Sequence, residues 1–490
     1  MSLVRHSASA AAAAIILAGS RFTLAAVLAR ELSLSAFGQF AYGQWLVDIS
    51  FLMCSLGVTA AAGRYFAEYR HDPLLLSAVA LRWRRYALGL PLAAGLAAGA
   101  GSWVSGMAMD PTATVWLAIW TFLSGLWAMQ TAALTGLQRF NRILLANLVT
   151  GIVMVCGALV WPLPASDPAN AFTLMAFATG TGVAFSATRI GGRPPAARRG
   201  IEITRWRSIR SFAANMWITA LLWSLVWSRG EMPIVRAYLG DLGVAHYAAA
   251  LTVFGGAIQA VMMAVSGLAP HLTRLWGEGR RPEAIALARK AMDLQLLACG
   301  LGSVWLACLS PELMGIAFGA AYRGQAGILV ILSVGLLAMA VSAQNHLLQL
   351  ATDARFNRNS TLVGLGVLLT FAVWLVIGFG LPGAAFARTL ATSALAGMSL
   401  AVARSHFGRG AYSPWNVGAV VVLAVSSGLL TLGSPDATLP LRACAALGAS
   451  ALLGAAVRHA DGRALGSAML VRLGNRMWLT LRMPTGAPRL

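Results

Sequence analysis

The sequence predicts an all-α polytopic membrane protein of about 14 transmembrane helices, arranged as two six-helix bundles related by a pseudo-twofold axis plus two C-terminal helices. Three observations lead there. Hydrophobic residues make up 58% of the chain and charged ones only 11%, with a mean hydropathy of +0.71, whereas soluble domains carry roughly 25% charged residues. Apolar stretches of the ~20 residues that cross ~30 Å of hydrocarbon recur about fourteen times. Basic residues gather on alternate connections between those stretches.

In chain order the apolar cores lie at 9–29, 39–62, 86–107, 113–135, 143–161, 169–188, 211–235, 245–268, 291–309, 326–348, 360–379, 383–402, 415–433 and 439–457. The first begins with "AAAAIILAGS" (11–20), an apolar run ending in small residues, which is also how a cleavable signal peptide reads. Apolarity continues to Leu28, so the segment is expected to be retained as a helix.

The net charge of +21 raises nucleic-acid binding as a possibility, and the positions of the arginines argue against it. With the N-terminus taken as cytoplasmic, Arg64, Arg70, Arg82, Arg84 and Arg85 fall on one side, as do Arg139 and Arg142 and the run from Arg189 through Arg210. Arg274, Arg280, Arg281, Arg289, Lys290, Arg355, Arg358, Arg404, Arg409 and the tail from Arg458 follow on that same side. This is about four-fifths of all basic residues, as the positive-inside rule expects. Basicity therefore reports topology: a multi-pass protein of the bacterial inner membrane with both termini cytoplasmic, anionic lipids as secondary contacts and no nucleic-acid partner.

Enzyme signatures are missing. The cysteines Cys54, Cys156, Cys299, Cys308 and Cys444 all fall in apolar stretches without metal-ligand spacing, and no metal or cofactor is expected. The single lysine, Lys290, follows no glycine-rich phosphate loop, so the chain has no Walker A site. The longest extramembrane pieces are too short for a catalytic domain.

An internal repeat sets the organisation. "VLARELSLSAFGQFAYG" (27–43) aligns with "PIVRAYLGDLGVAHYAAA" (233–250), placing Arg30 opposite Arg236, and "AAGRYFAEYRHDP" (61–73) lies opposite "LAPHLTRLWGEGRRP" (268–282). The two copies run in the same membrane direction, implying a parallel duplication of about six helices. The expected units are an N-terminal bundle (1–190), a basic cytoplasmic loop (191–210), a C-terminal bundle (211–405), two added transmembrane helices (406–460) and a basic tail (461–490). In that tail Met469, Leu470, Leu473, Met477 and Leu481 form an apolar stripe beside Arg472, Arg476 and Arg482, which predicts a helix on the inner membrane surface.

The stretch "LARELSLSAFGQFAYGQWLVDISFLMCSLGVTAAAGRYFAE" resembles the opening of Wzx-type polysaccharide flippases, in which a first helix ends in an apolar-Ala-Arg segment, a short Leu-Ser turn and Phe-Gly. "LTGLQRFNRILLANLV" (134–149), "YLGDLGVAHYAAA" (238–250) and "LAPHLTRLWGEGR" (268–280) are similar to later landmarks of that family. The resemblance implies membership of the multidrug/oligosaccharidyl-lipid/polysaccharide exporter superfamily, with two bundles around a central cavity that opens alternately to each side. It also implies an undecaprenyl-pyrophosphate-linked glycan as substrate, and a polysaccharide polymerase and chain-length proteins as partners.

Charges inside the spans are the candidate site. At 1.5 Å per residue, Arg21 lies about 4 Å beyond the membrane midplane and Asp48 at a similar depth in the second span. One reading is a plain neutralising pair; the other is a guanidinium for a diphosphate, with the carboxylate balancing charge. The repeat puts Arg21 opposite Trp227, so Arg229 and Glu231 in "WSRGEMP" (227–233) are expected at comparable depth as a second arginine–carboxylate set. Asp293, early in the ninth span, is a candidate for ion coupling. Gln44, Gln259, Gln344 and Asn345 are candidate sugar contacts, along with Gln130 and Asn215, though such residues also join helices. Trp217, Trp223 and Trp227 suit stacking on sugar rings or a lipid-facing position. Three functions stay open: the lipid-linked oligosaccharide flippase, a cation-coupled exporter of drugs or other small molecules in the same fold, and a membrane enzyme of polysaccharide assembly.

Overall fold

The computed structural model describes residues 2–461 except 108, 162–163, 188–202, 266–267, 353–354, 409–411 and 435–437. The expected tail helix and most of the 191–210 loop lie outside the described residues.

All regular elements among the described residues are helical. The first half comprises α1 (Ser2–Glu31), α2 (Leu34–Cys54), α3 (Val58–Glu68), α4 (Pro73–Val104), α5 (Pro111–Gly136), α6 (Phe140–Val160) and α7 (Ala169–Ser186). The second half starts with α8 (Ile203–Ser224), which passes through a π-helical turn (Leu225–Arg229) into α9 (Met232–Val265), followed by α10 (Leu268–Gly277) and α11 (Arg281–Cys308). Two short helices, α12 (Ser310–Phe318) and α13 (Ala320–Arg323), precede α14 (Ala326–Gly335), a 3₁₀ segment (Leu336–Val341) and α15 (Ser342–Ala351). The chain closes with α16 (Arg355–Phe407), α17 (Pro414–Gly433) and α18 (Leu439–Asp461).

Counting crossings needs the glycines. Among the described residues nine helical stretches are long and apolar enough to span a membrane, and α2 with α3, bent by 59°, makes a tenth. Two of the nine are double crossings, Trp206–Met263 with 58 residues and Phe356–Phe407 with 52, about twice what a bilayer requires. Each reverses at a glycine in the left-handed region, Gly240 (φ 66°) and Gly380 (φ 62°), where any other residue would be strained. The second reversal is so tight that a Cβ on Gly383 would lie 1.8 Å from the carbonyl oxygen of Leu375. With the shorter α7 and α18, the architecture is the expected one of about fourteen spans. One boundary moves: α8 begins at Ile203, inside the segment expected to be loop. Its first turns carry Trp206, Arg207 and Arg210, amphipathic side chains suited to extending a helix beyond the hydrocarbon into the headgroups.

In the first half α1 packs on α6, α4 on α5, and α5 and α6 on α7. In the second half α11 packs on α14, and α14 and α9 on α16. The two extra helices, α17 and α18, lie against α11. One buried apolar cluster runs without a break from Leu24 and Phe37 through Trp120 and Phe172 to Tyr247, Phe254 and Leu332, so both halves share a core.

The halves are locked together at the end opposite the arginine-rich connections. There α2 runs along α9 so closely that a Cβ on Gly38 would sit 1.9 Å from the carbonyl oxygen of Asp241. Arg236 Nε donates to Asp241 Oδ1 at 2.9 Å, Gln39 Nε2 donates to Asp241 Oδ2 at 3.1 Å, and Arg236 Nη1 donates to the Ser105 carbonyl at 3.1 Å. The Arg236 guanidinium also lies 4.5 Å from the centre of the Tyr42 ring. Beside this latch, Arg30 at the end of α1 donates to the carbonyls of Ile316 and Ala317, and Tyr322 packs among Phe37, Phe318 and His246. The equivalence of Arg30 and Arg236 is visible here: each closes the first span of its half and reaches into the other half. Cysteines at positions 39 and 241 joined by a short bis-maleimide are expected to abolish transport, whereas the same reagent on either single variant leaves it unchanged; export measured before and after treatment checks this.

Candidate functional site

A cavity of about 390 Å³ opens in the first half, lined by Arg21, Gln44, Asp48, Trp120, Trp127 and Asn147 among others. Packing explains which side chains face it. A Cβ on Gly151 would lie 2.3 Å from Ser20 Oγ, so α6 sits directly on Ser20, while Asn147 Nδ2 donates to the Ala13 carbonyl at 2.9 Å. With Ser20 turned to α6, the next residue, about 100° around the helix, is Arg21, and it faces the open space. On α2, Gln44 and Asp48 are four residues apart and share one face, while the adjoining Gly43 is pressed against the Phe172 ring.

Arg21 makes no hydrogen bond and no ion pair with any described residue, and the same holds for Asp48. The expected Arg21–Asp48 contact pair is therefore not formed: the two share the cavity wall beyond the 4 Å of an ion pair, interacting through space. Arg229 joins them from the second half. It lies on the π-helical turn, and its Nη1 donates to Gln44 Oε1 at 3.3 Å. Asp48 and Glu231 attract its charge, while Arg388 and Arg21 repel it.

Glu231 is not the partner of Arg229. It is fully buried and accepts from Arg388 Nη1 at 2.8 Å and from the Tyr247 hydroxyl at 2.6 Å. Arg388, 3% exposed, also donates to the Ser228 carbonyl at 2.6 Å and to the Trp227 carbonyl. Widening from α to π leaves carbonyls of the eighth helix without their usual partners, and this guanidinium satisfies them. Gly230 is required at the same place, since a Cβ there would lie 1.9 Å from the Leu225 carbonyl oxygen. The kink is thus written into Gly230, Glu231 and Arg388 together, and it aims Arg229 at Gln44 and Asp48. With Arg388 and Glu231 neutralising each other, the charged groups left are Arg21 and Asp48 on the cavity wall and Arg229 beside it, bonded to Gln44 of that wall, a surplus of one positive charge. A ligand with two negative charges and several acceptor oxygens fits this set, because fixed guanidiniums bind phosphate oxygens in a fork geometry.

A second cavity, of about 260 Å³, lies within the other half and is more polar than its surroundings suggest: Asn345, His346, Asn357, Ser360 and Thr361 line it, together with Trp227. Trp223 and Trp227 stack at its edge with ring centres 6.4 Å apart. Of the other candidates, Asn345 reaches this cavity and is bonded to Ser399. Gln344 is buried and turned away, and Gln259 is exposed and lines neither cavity. Asp293 does not reach the charged cavity either: Asn416 Nδ2 of α17 donates to its Oδ1 at 3.3 Å, which makes it an anchor for an added helix. Gln130 accepts from the Ser186 hydroxyl, and Trp217 donates to the Leu52 carbonyl at 2.9 Å, so both join helices. Among the described residues no group of His, Cys, Asp and Glu could hold a metal ion.

Sequence reasoning missed Arg388 and Tyr247. Arg388 carries the same signal as Arg21, an arginine in the middle of an apolar run, "LPGAAFARTLATSALAG" (381–397). Arg442, buried in α18 and 3.2 Å from Glu312, was hidden likewise.

No protein-family model and no curated protein matches the chain by sequence. Solved structures do match by shape. A lipid II flippase, MurJ, in an inward closed conformation superposes with a TM-score of 0.67 at 12% identity, covering 94% of this chain and 100% of that one. An inward-facing multidrug resistance MATE family transporter of the MOP superfamily gives 0.62 at 12% identity, covering 79% of this chain and 94% of that one. An outward-facing one gives 0.51 at 14% identity over 83% and 95%. The chain has the fold of these transporters.

Proposed function

We propose that this chain is a flippase that carries a polyprenyl-diphosphate-linked oligosaccharide across the bacterial inner membrane for surface polysaccharide synthesis. The observation that carries the reading is the cavity in which Arg21 has no partner among the described residues and shares the wall with Asp48, with Arg229 of the other half bonded to Gln44 beside them. Arg21 is exposed to a cavity at the depth of a membrane span and meets no partner among the described residues, an arrangement that is costly without a ligand, and a diphosphate that replaces water on two guanidiniums turns that cost into binding energy. The sugars lie among the polar side chains between the halves, and the prenyl chain stays in lipid.

Movement follows from the contacts. Binding draws Arg21 and Arg229 toward one diphosphate, and the latch at Gln39, Arg236 and Asp241 has to release before the cavity can open to the far side. The gathering of basic residues on the opposite connections supports the latched face as the outer one, with both termini cytoplasmic. Without a nucleotide site in the sequence, membrane potential or a coupled ion supplies the driving force. A polysaccharide polymerase and chain-length proteins are the expected neighbours.

The test is reconstitution in vesicles with a fluorescent undecaprenyl-diphosphate oligosaccharide. Flipping that is lost with Arg21→Ala supports the proposal, and protein-independent flipping overturns it. The second reading, a cation-coupled small-molecule exporter, is favoured by the unbonded Asp48 carboxylate in the same cavity; ion-driven efflux of a cationic dye that depends on Asp48 and not on Arg21 would establish it instead.

A further inference from the structure

On the arginine-rich face the two halves meet a second time, and the join contains a pocket. The α2–α3 bend at Gly57 (φ 72°) brings backbone onto backbone, with a Cβ on Gly57 placed 1.9 Å from the Ala213 carbonyl oxygen. Next to that contact lies a cavity of about 270 Å³ between α3, α4 and α8, walled by Ala61, Tyr65, Trp83, Ile209 and Ala213. It is separate from the charged cavity and shares none of its lining.

The pocket combines apolar walls with hydrogen-bond donors that lack acceptors. Trp83 is 9% exposed and its indole Nε1 has no partner. Beside the lining on the same helix, Arg82 holds a buried Nη1 that, like the Trp83 indole, has no partner among the described residues, and its guanidinium lies 4.3 Å from the centre of the ring of Trp206, which lines the pocket. Arg210 lines the pocket, and Arg64 stacks 4.5 Å from the centre of the Phe212 ring. Among the described residues the carboxylate paired with these three arginines is Glu68, 3.9 Å from Arg64 and half exposed. Leu56 and Tyr86, exposed at the rim, leave the pocket open sideways toward lipid.

Unsatisfied buried donors call for acceptor oxygens, the arginines call for negative charge, and the walls call for hydrocarbon. A free phosphate meets only the first two requirements and a neutral lipid only the last. We propose that this pocket binds one anionic phospholipid of the inner leaflet, with its phosphate and ester oxygens at Arg82, Arg210 and Trp83 and the upper part of an acyl chain between α3 and α8. Because those helices belong to different halves, the bound lipid ties the halves together on this face and favours the conformation described above. This site stands independently of which substrate crosses the central cavity.

The experiment is native mass spectrometry of the purified full-length protein with phosphatidylglycerol, phosphatidylcholine or undecaprenyl phosphate added singly and in competition. One phosphatidylglycerol is expected to persist when other lipids are stripped. Its occupancy should fall about tenfold in Ala213→Phe, which fills the cavity, and about fivefold in Trp83→Phe, which keeps an aromatic side chain and opens rather than fills the cavity while removing the indole donor. Trp83→Phe guards against misfolding in the first variant. Equal retention of phosphatidylcholine, or unchanged phosphatidylglycerol in both variants, overturns the proposal. Displacement by undecaprenyl phosphate at equal concentration also overturns it, making the pocket part of the substrate path.

Discussion

Arg21→Ala is expected to lower export of the lipid-linked glycan roughly 30- to 150-fold while leaving protein abundance unchanged, because about 2–3 kcal/mol of charge-assisted hydrogen bonding to the diphosphate is lost. Abundance should hold because Arg21 has no partner among the described residues: its removal breaks no hydrogen bond with them and leaves no buried acceptor of theirs empty. Arg21→Lys should recover part of the rate, since a point charge replaces the planar fork. The informative variant is Arg21→Ala with Asp48→Ala. If the arginine serves the diphosphate, the double variant stays inactive; if the two groups only balance one another, export returns. Initial flipping rates in vesicles, normalised to reconstituted protein, check this.

Arg388→Ala should act on folding first. Removing the guanidinium strands a fully buried Glu231 carboxylate and two carbonyls of the π-helical turn, and breaking one side of a buried ion pair costs about 3–5 kcal/mol. A loss of that size consumes much of the stability of an ordinary fold, so folded yield should collapse. Arg388→Met with Glu231→Leu removes both charges and should restore most of the yield, at a residual cost of about 1–3 kcal/mol for the unbonded carbonyls. Transport should not return with it, because the kink that aims Arg229 at Gln44 has lost its brace. Thermal denaturation of the purified variants, set beside their flipping rates, separates the two effects; a double variant that transports normally would refute the brace.

Much of this is legible in the sequence, for a physical reason. Position along the membrane normal follows from counting residues at a fixed rise, so the roughly fourteen crossings, the alignment of Arg30 with Arg236 and the similar depth of Arg21 and Asp48 can be read from the chain. Position around the bundle does not follow from counting. Glu231 is two residues from Arg229, and the sequence offers that arginine as its partner, yet the partner is Arg388, 157 positions away on another crossing. Counting residues puts Asp293 at a sensible height, but its side chain faces α17, a helix outside the duplicated core. Gln259 sits in an apolar run as Gln44 does, but rotation about its helix leaves it outside the cavities. Which neighbour a polar side chain meets is fixed by the packing of small residues such as Gly38, Gly151 and Gly230, whose close contacts no single-sequence pattern encodes.

The π-helical turn at Leu225–Arg229 carries one residue more per turn than the α-helix on either side. That extra residue is stored phase. Were the turn to tighten to α, everything beyond it would rotate by about 100° and shift by about 1.5 Å. Arg229, which holds Gln44 in the cavity, and Arg236, which holds Asp241 at the latch, lie at or beyond that turn on one continuous stretch. A single change of helical register would therefore release both at once, giving the empty or occupied state of the cavity a direct mechanical reading at the far face.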